Sequence, residues 1–236
     1  MPQELESIRT RFGRTASIGK HTLRGEIHET WLGDVCLARP DEAWPIGPHG
    51  PLEPVLQLNV RELPIVPPGL DDLALITVFL GWDDDGFVPA MDEPFPVNGK
   101  QWCLRAYRSL DGLVEIQSPI DRRCESKAIR WTVLEGDMPC LEDCTEAHDA
   151  CKQAGFKFHD HFETAEGLKV GGWPRLVQSD IFWAPFNEHP AKPEYQFQID
   201  SDFDLAGLWF VDGGVCYFGR GERGHKHEWA HECQFL

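Results

Sequence analysis

What this chain lacks narrows its roles before any motif is considered. No apolar run approaches the roughly 18 residues of a membrane-spanning helix, and Met1 to Arg14 is a charged amphipathic segment, not a cationic and then apolar leader. The expectation is a cytoplasmic protein. Cys-x-x-Cys pairs are missing among the 8 cysteines, so in that compartment all 8 are expected as reduced thiols. Basic residues are scarce: 22 Lys and Arg stand against 39 Asp and Glu. The resulting net charge of -17 repels phosphate backbones and anionic lipid, so neither nucleic acid nor membrane is an expected partner. A G-x-S-x-G elbow is missing, and no cysteine stands out as a nucleophile. Gly219-Arg220-Gly221 with Gly224 lacks the βαβ setting of a phosphate loop and reads as a turn.

What is present is material for a core. A 42% hydrophobic content with 9 Trp and 14 Phe excludes a disordered chain, and 236 residues suit one large domain or two packed lobes. Leu5, Ile8 and Phe12 are spaced for a short helix ended by Gly13. Val55 to Val60 alternates as a strand does, and Leu73 to Leu80 is almost continuously apolar, as in a strand covered on both faces. Further strands are predicted at Gln101 to Arg108, Leu113 to Gln117, Ala128 to Leu134, Tyr195 to Ile199, Leu208 to Val211, Val215 to Phe218 and His225 to Phe235. One interior helix is predicted near 139–155, with Asp137 as cap, Pro139 at its first position and Gly155 as its stop.

Four elements recur in order. Leu32-Gly33-Asp34, Trp44-Pro45, Leu56-Gln57-Leu58-Asn59 and the run ending in Trp82 are echoed by Val170-Gly171-Gly172, Trp173-Pro174, Phe197-Gln198-Ile199-Asp200 and Leu208-Trp209-Phe210. The fold expected is α+β and predominantly β. A single domain over 1–236 would hold two related halves, approximately 30–135 and 168–236, packed as one bilobal unit with a cleft between them.

Lys169 to Pro174, Gln178, Gln198 to Asp202 and Asp212-Gly213-Gly214-Val215, with looser counterparts at Leu32-Gly33, Trp44-Pro45 and Glu62-Leu63-Pro64, resemble the YwqG-like family of bacterial proteins, grouped under a domain of unknown function. The likeness runs from about Thr30 to the C-terminus, with one departure: Gly33-Asp34 stands where the second half has Gly171-Gly172. The resemblance implies a β-dominated α+β fold and brings no established catalytic set. It further implies a kinship with immunity proteins that accompany bacterial toxins.

Two functions are weighed. The leading one is a non-catalytic binding protein for a cationic polypeptide, with Gln57, Asn59, Gln198, Asp200 and Asp202, polar groups at matching strand ends, as binding residues and with no cofactor. The alternative is a metal-assisted enzyme that holds zinc at His225, His227 and His231. His227-Glu228-Trp229-Ala230-His231 matches H-E-x-x-H, but alternation from His225 to Phe235 predicts a strand on which Glu228 faces away from both histidines. Cys140, Cys144, His148 and Cys151 form a helical stripe too long to wrap one ion, so soft core packing is expected there. Asp200, Ser201, Asp202 and Asp204, like Asp83 to Asp85, read as turns that bond to their own backbone.

Overall fold

The computed structural model describes residues 1–22, 25–83, 86–87, 95–178, 181, 189–201 and 206–235. Ten strands form its main sheet: β1 (Arg14–Thr22), β2 (Trp31–Leu32), β3 (Glu53–Asn59), β4 (Leu75–Leu80), β5 (Trp102–Tyr107), β6 (Lys127–Asp137), β7 (Lys169–Gly171), β8 (Glu194–Asp200), β9 (Val215–Arg220) and β10 (Trp229–Gln234). Their order is β5-β4-β3-β2-β6-β1-β7-β8-β9-β10, and every neighbouring pair is antiparallel. The fold is predominantly β, with two helices among the described residues, α1 (Gln3–Phe12) and α2 (Thr145–Gln153).

The nearly continuous apolar run of β4, broken only by Thr77, has a physical reason. Ile76, Val78 and Leu80 face the main core, while Leu75 packs with Leu37 and Tyr107, and Phe79 with Val35, Leu52 and Cys103 under the segment 33–52. Every residue of β4 is therefore buried. β9 is covered on both faces in the same way: Phe218 faces the core, while Val215 and Tyr217 lie under Leu176, Val177 and Ile181. Each such side chain, fully buried, stabilises the fold by about 1.5–3 kcal/mol.

The sheet curls until its edges meet. Trp102 of β5 lies 5.2 Å from the ring of His231 of β10 and 6.4 Å from Phe218 of β9. Among the described residues no ladder joins β5 to β10, and side chains meet across this seam. On the outside, Leu5 and Ile8 of α1 pack against Ala147 and Cys151 of α2 with Met138, Phe158 and Phe162.

Registers repeat along the sheet. Trp31 pairs with Gln57 as Lys169 pairs with Gln198. The register shifts between Pro54 and Leu56 in β3, and again between Tyr195 and Phe197 in β8. Leu80 faces Trp102, and Arg220 faces Trp229.

Several expectations are corrected. The interior helix starts at Thr145, not at Pro139, because Asp137 is drawn into the core and caps nothing. Its end matches: Gly155, at φ +82°, lets Phe156 N–H reach Cys151 C=O at 2.9 Å while its own N–H bonds Lys152 C=O, a Schellman closure. Leu208 to Val211 forms a lone bridge and a turn, not a strand. Strand geometry begins at Trp229, so His225 to Glu228 form a turn ahead of β10. β1 was not anticipated, since its sequence RTASIGKHT has too few apolar residues to announce a strand at the sheet's centre. The expectation of 8 free thiols fails as well. Cys216 and Cys233, directly opposed on β9 and β10 with Cα atoms 4.2 Å apart, form a disulfide, and the other six are free.

Candidate functional site

Three of the nominated polar residues are buried and committed. Gln57, with no exposed surface, accepts the amides of Cys36 (2.9 Å) and Leu37 (3.0 Å) and donates to the carbonyls of Ile27 (2.7 Å) and Glu29 (2.8 Å). Asn59 accepts from the Arg61 amide and donates to the His28 carbonyl. Gln198 accepts the Arg175 amide at 2.9 Å and donates to Asp200 Oδ1 at 2.8 Å. Gln234, which the sequence did not single out, holds the Val177 and Gln178 amides in the same way. These amides are thus spent inside the protein, on the loops they hold. Asp202 lies outside the described residues.

Asp200 lines a cavity of about 410 Å³ with Lys20, His21, Leu32, Ile129, Leu168 and Ser201. Its Oδ2 accepts the Gly167 amide at 2.7 Å, with Arg175 Nη1 at 3.7 Å. Burial pushes its pKa up to about 6, against the opposing pull of the Gly167 amide, Arg175, Lys169 and Gln198. Behind it lies a pair that sequence reasoning missed. Lys169 Nζ reaches Asp137 Oδ2 at 3.1 Å and the Ala165 carbonyl at 2.8 Å, with neither charged side chain exposed. Asp137 also accepts the Ala165 and Trp173 amides, and burial lowers the lysine's pKa. Removing one partner of such a pair costs about 3–5 kcal/mol, so this pair locks the 165–173 segment in place. Its one legible signal was a lone lysine beginning an apolar strand.

A larger cleft of about 830 Å³ opens beside the Gly33 turn, lined by Asp34, Glu115, Asp121, Arg122, Glu125, Cys36 and Cys124 among others. Gly33, at φ +76°, turns the chain so that Asp34 accepts Arg122 Nη1, Ser126 Oγ at 2.8 Å and the Val35 amide at 2.8 Å. One carboxylate thus carries the rim, and Glu115 and Asp121 stand exposed beyond it. Gln57 shapes the same wall by pinning Cys36 and Leu37. Burial pushes the Cys36 and Cys124 thiols up to about 12, which keeps them protonated and poor nucleophiles.

The structure does not bring His225, His227 and His231 together around one ion. His225 and His227 are 5.7 Å apart by ring centroids, and His189 lies 5.8 Å from His227. Burial first, then His227, His225 and Lys192, hold His189 down at about 4. His231 instead points inward, its Nε2 3.2 Å from Cys233 Sγ, and burial lowers its pKa to about 3. Glu228 is bound by Arg220 Nε at 2.7 Å and by the Gly224 amide at 2.8 Å, so both its oxygens are occupied. Ser201 bonds the Gly214 carbonyl and the Phe210 amide, as a turn residue does. Asp83 accepts the Gly86 amide, while Asp84, Asp85 and Asp204 lie outside the described residues. Cys140 precedes α2 and meets Thr164 at 3.2 Å, whereas Cys151 packs in the helix core.

Together these features define a curled, antiparallel β protein with clefts walled by loops that buried glutamine amides hold in place. Residues 32–219 match the family model described as Domain of unknown function (DUF1963), and the chain belongs to that family. The match begins in β2 and ends inside β9, so it includes the glutamine-held residues 36–37 and 175–178, while Ile27 and Glu29 precede it. No curated protein matches the chain.

Proposed function

We propose that this protein is a non-catalytic binding module for a cationic polypeptide segment, received at the acidic cleft beside Asp34. The observation that carries this reading is the cleft itself, where four carboxylates line one concavity whose single guanidinium is bound to one of them. A net charge of -17 adds long-range attraction for a basic partner. The YwqG-like resemblance, with its immunity-type relatives, points the same way. The test is titration with a fluorescent Lys- and Arg-rich peptide at two salt concentrations. Replacing Glu115 and Asp121 by Lys is expected to weaken binding at least tenfold, whereas Glu4→Lys with Glu6→Lys, the same change in net charge on α1, leaves it within twofold. Equal loss in both variants would reduce the effect to overall charge and overturn the site.

The same reading includes an internal duplication. Exchanging β1 with β6, β2 with β7, β3 with β8, β4 with β9 and β5 with β10 preserves the strand order. Aligning Gln57 with Gln198 sets Leu32 on Val170, hence Lys127 on Ser17, which puts the exchange axis through the Lys20 and Arg130 pair. The same alignment sets the register shift at Pro54 and Leu56 on the one at Tyr195 and Phe197, a coincidence that chance likeness of two Gly- and Pro-rich stretches does not supply. An experimental structure in which residues 30–107 fail to superpose on 168–234 would refute it.

A second reading has one observation behind it. His227 lies 5.8 Å from His189 and 5.7 Å from His225, ring to ring, so a metal-assisted enzyme would rest on these three and not on His231. Elemental analysis of the disulfide-bonded chain, purified without added metal, decides it: about one zinc per chain supports it, and none rejects it.

A further inference from the structure

We propose that Cys216, Cys233 and His231 form, in the reduced chain, a binding site for one soft metal ion, zinc(II) or copper(I), and that the Cys216–Cys233 disulfide closes this site. The three ligand atoms already lie within 4.8 Å of one another. A tetrahedral ion with bonds of about 2.0–2.3 Å needs its ligands roughly 3.5–3.8 Å apart, a spacing within the reach of this cluster once the sulfurs part. The sheet register builds the set. Cys216 and Cys233 oppose each other across β9 and β10, and His231, two residues before Cys233, shares its inward face.

The imidazole is held in place. Trp102 and Phe218 pack on it at 5.2 and 4.9 Å, and Nε2 is the nitrogen that faces sulfur, 3.2 Å from Cys233 Sγ. His231 is only 4% exposed, yet among the described residues its Nδ1 has no hydrogen-bond partner. An apolar side chain would fill this space without that cost of about 1–3 kcal/mol, so packing alone does not account for a histidine here. Two thiolates, a neutral imidazole and zinc(II) carry no net charge, which suits an aromatic core, and soft sulfur ligands favour zinc or copper(I) over harder ions.

Opening the site consumes a reductant. A dithiol attacks the sulfur of Cys233, the partly exposed member of the pair, and displaces Cys216. Two electrons and two protons pass to the protein's sulfurs while the dithiol becomes a disulfide. The ion then replaces the two thiol protons, which leave to solvent.

The experiment uses the whole chain, reduced and then freed of reductant without oxygen, and titrated with cobalt(II) as the spectroscopic probe. Thiolate-to-cobalt charge-transfer absorption is expected to saturate at one ion per chain. Zinc(II) should bleach it in one arm and copper(I) in another, and the order of displacement names the preferred ion. The disulfide-bonded chain provides a blank that needs no substitution, so a variant that fails to fold does not spoil the test. Cys216→Ser and Cys233→Ser are expected to lose the band, and Cys140→Ser to keep it. No uptake by the reduced chain, or uptake undiminished in both Cys216→Ser and Cys233→Ser, would overturn the site.

Discussion

A buried amide side chain is costly unless each of its polar atoms finds a partner, and Gln57 finds four. Gln57→Ala should therefore orphan the Cys36 and Leu37 amides and two carbonyls, lowering stability by about 3 kcal/mol or more in urea unfolding, whereas exposed Gln117→Ala should change it by less than about 0.5 kcal/mol. Asp200 makes a second prediction at this scale. Burial raises its pKa to about 6, so between the usual carboxylate value and 6 the folded chain binds more protons than the unfolded one. Its contribution is fully present below the unfolded pKa and is lost as pH rises through the folded value, a decline on the order of 3 kcal/mol. Carbon NMR of the Asp200 carboxyl should give a midpoint near 6. A midpoint below about 4.5 would mean that the Gly167 amide and Arg175 outweigh burial. These polar residues were legible because they interrupt apolar strands. Their partners were not, since the Gln57 contacts lie 20 to 30 positions away along the chain. The pairing of Lys169 with Asp137 was hidden for the same reason: nothing local shows that two charges 32 residues apart share one buried site.

Elements were most legible where one physical signal dominated. The continuous burial of β4 was written in its composition, and the end of α2 in Gly155, because only glycine takes the left-handed conformation there without strain. Competing signals produced the errors. Alternation from His225 onward ran past the start of β10, because Glu228 bonds the Gly224 amide and clasps Arg220, which ties residues 224–228 into a turn. Asp137 and Pro139 looked like a helix start, but the buried lysine claimed the aspartate. The turn yields a prediction. Glu228→Gln weakens a charge-assisted bond to Arg220, which keeps its bond to Asp72 Oδ1 at 2.5 Å, so stability should fall by about 1–2 kcal/mol with the fold intact. Circular dichroism and denaturation would measure that fall. A zinc-dependent peptidase activity abolished by the same substitution would instead return Glu228 to the role of catalytic base, which its two hydrogen bonds oppose.

For the whole molecule the decisive feature is the seam, and no local pattern in the sequence foretold it. Strand content and the recurrence of Gln-x-Asn with Gln-x-Asp suggested two β-rich halves, but how far a sheet curls depends on twist summed over all its strands and on what fills its interior. Here Trp102 is fully buried and fills the space between β5, β9 and β10, touching both Phe218 and His231. Because side chains close this edge among the described residues, its strength there rests on few groups. Trp102→Ala should cost about 3–5 kcal/mol through the cavity it leaves. A loss confined to one half of the chain would show faster amide exchange in β5 and its neighbour β4 only. If the seam couples the two edges, amides of β5 and β10, more than 120 residues apart in sequence, should gain exchange rate together, while those of β1 and β6 at the centre of the sheet change least. Hydrogen exchange followed by mass spectrometry separates these outcomes, and an unchanged β10 in the variant would show that its edge is held by β9 alone.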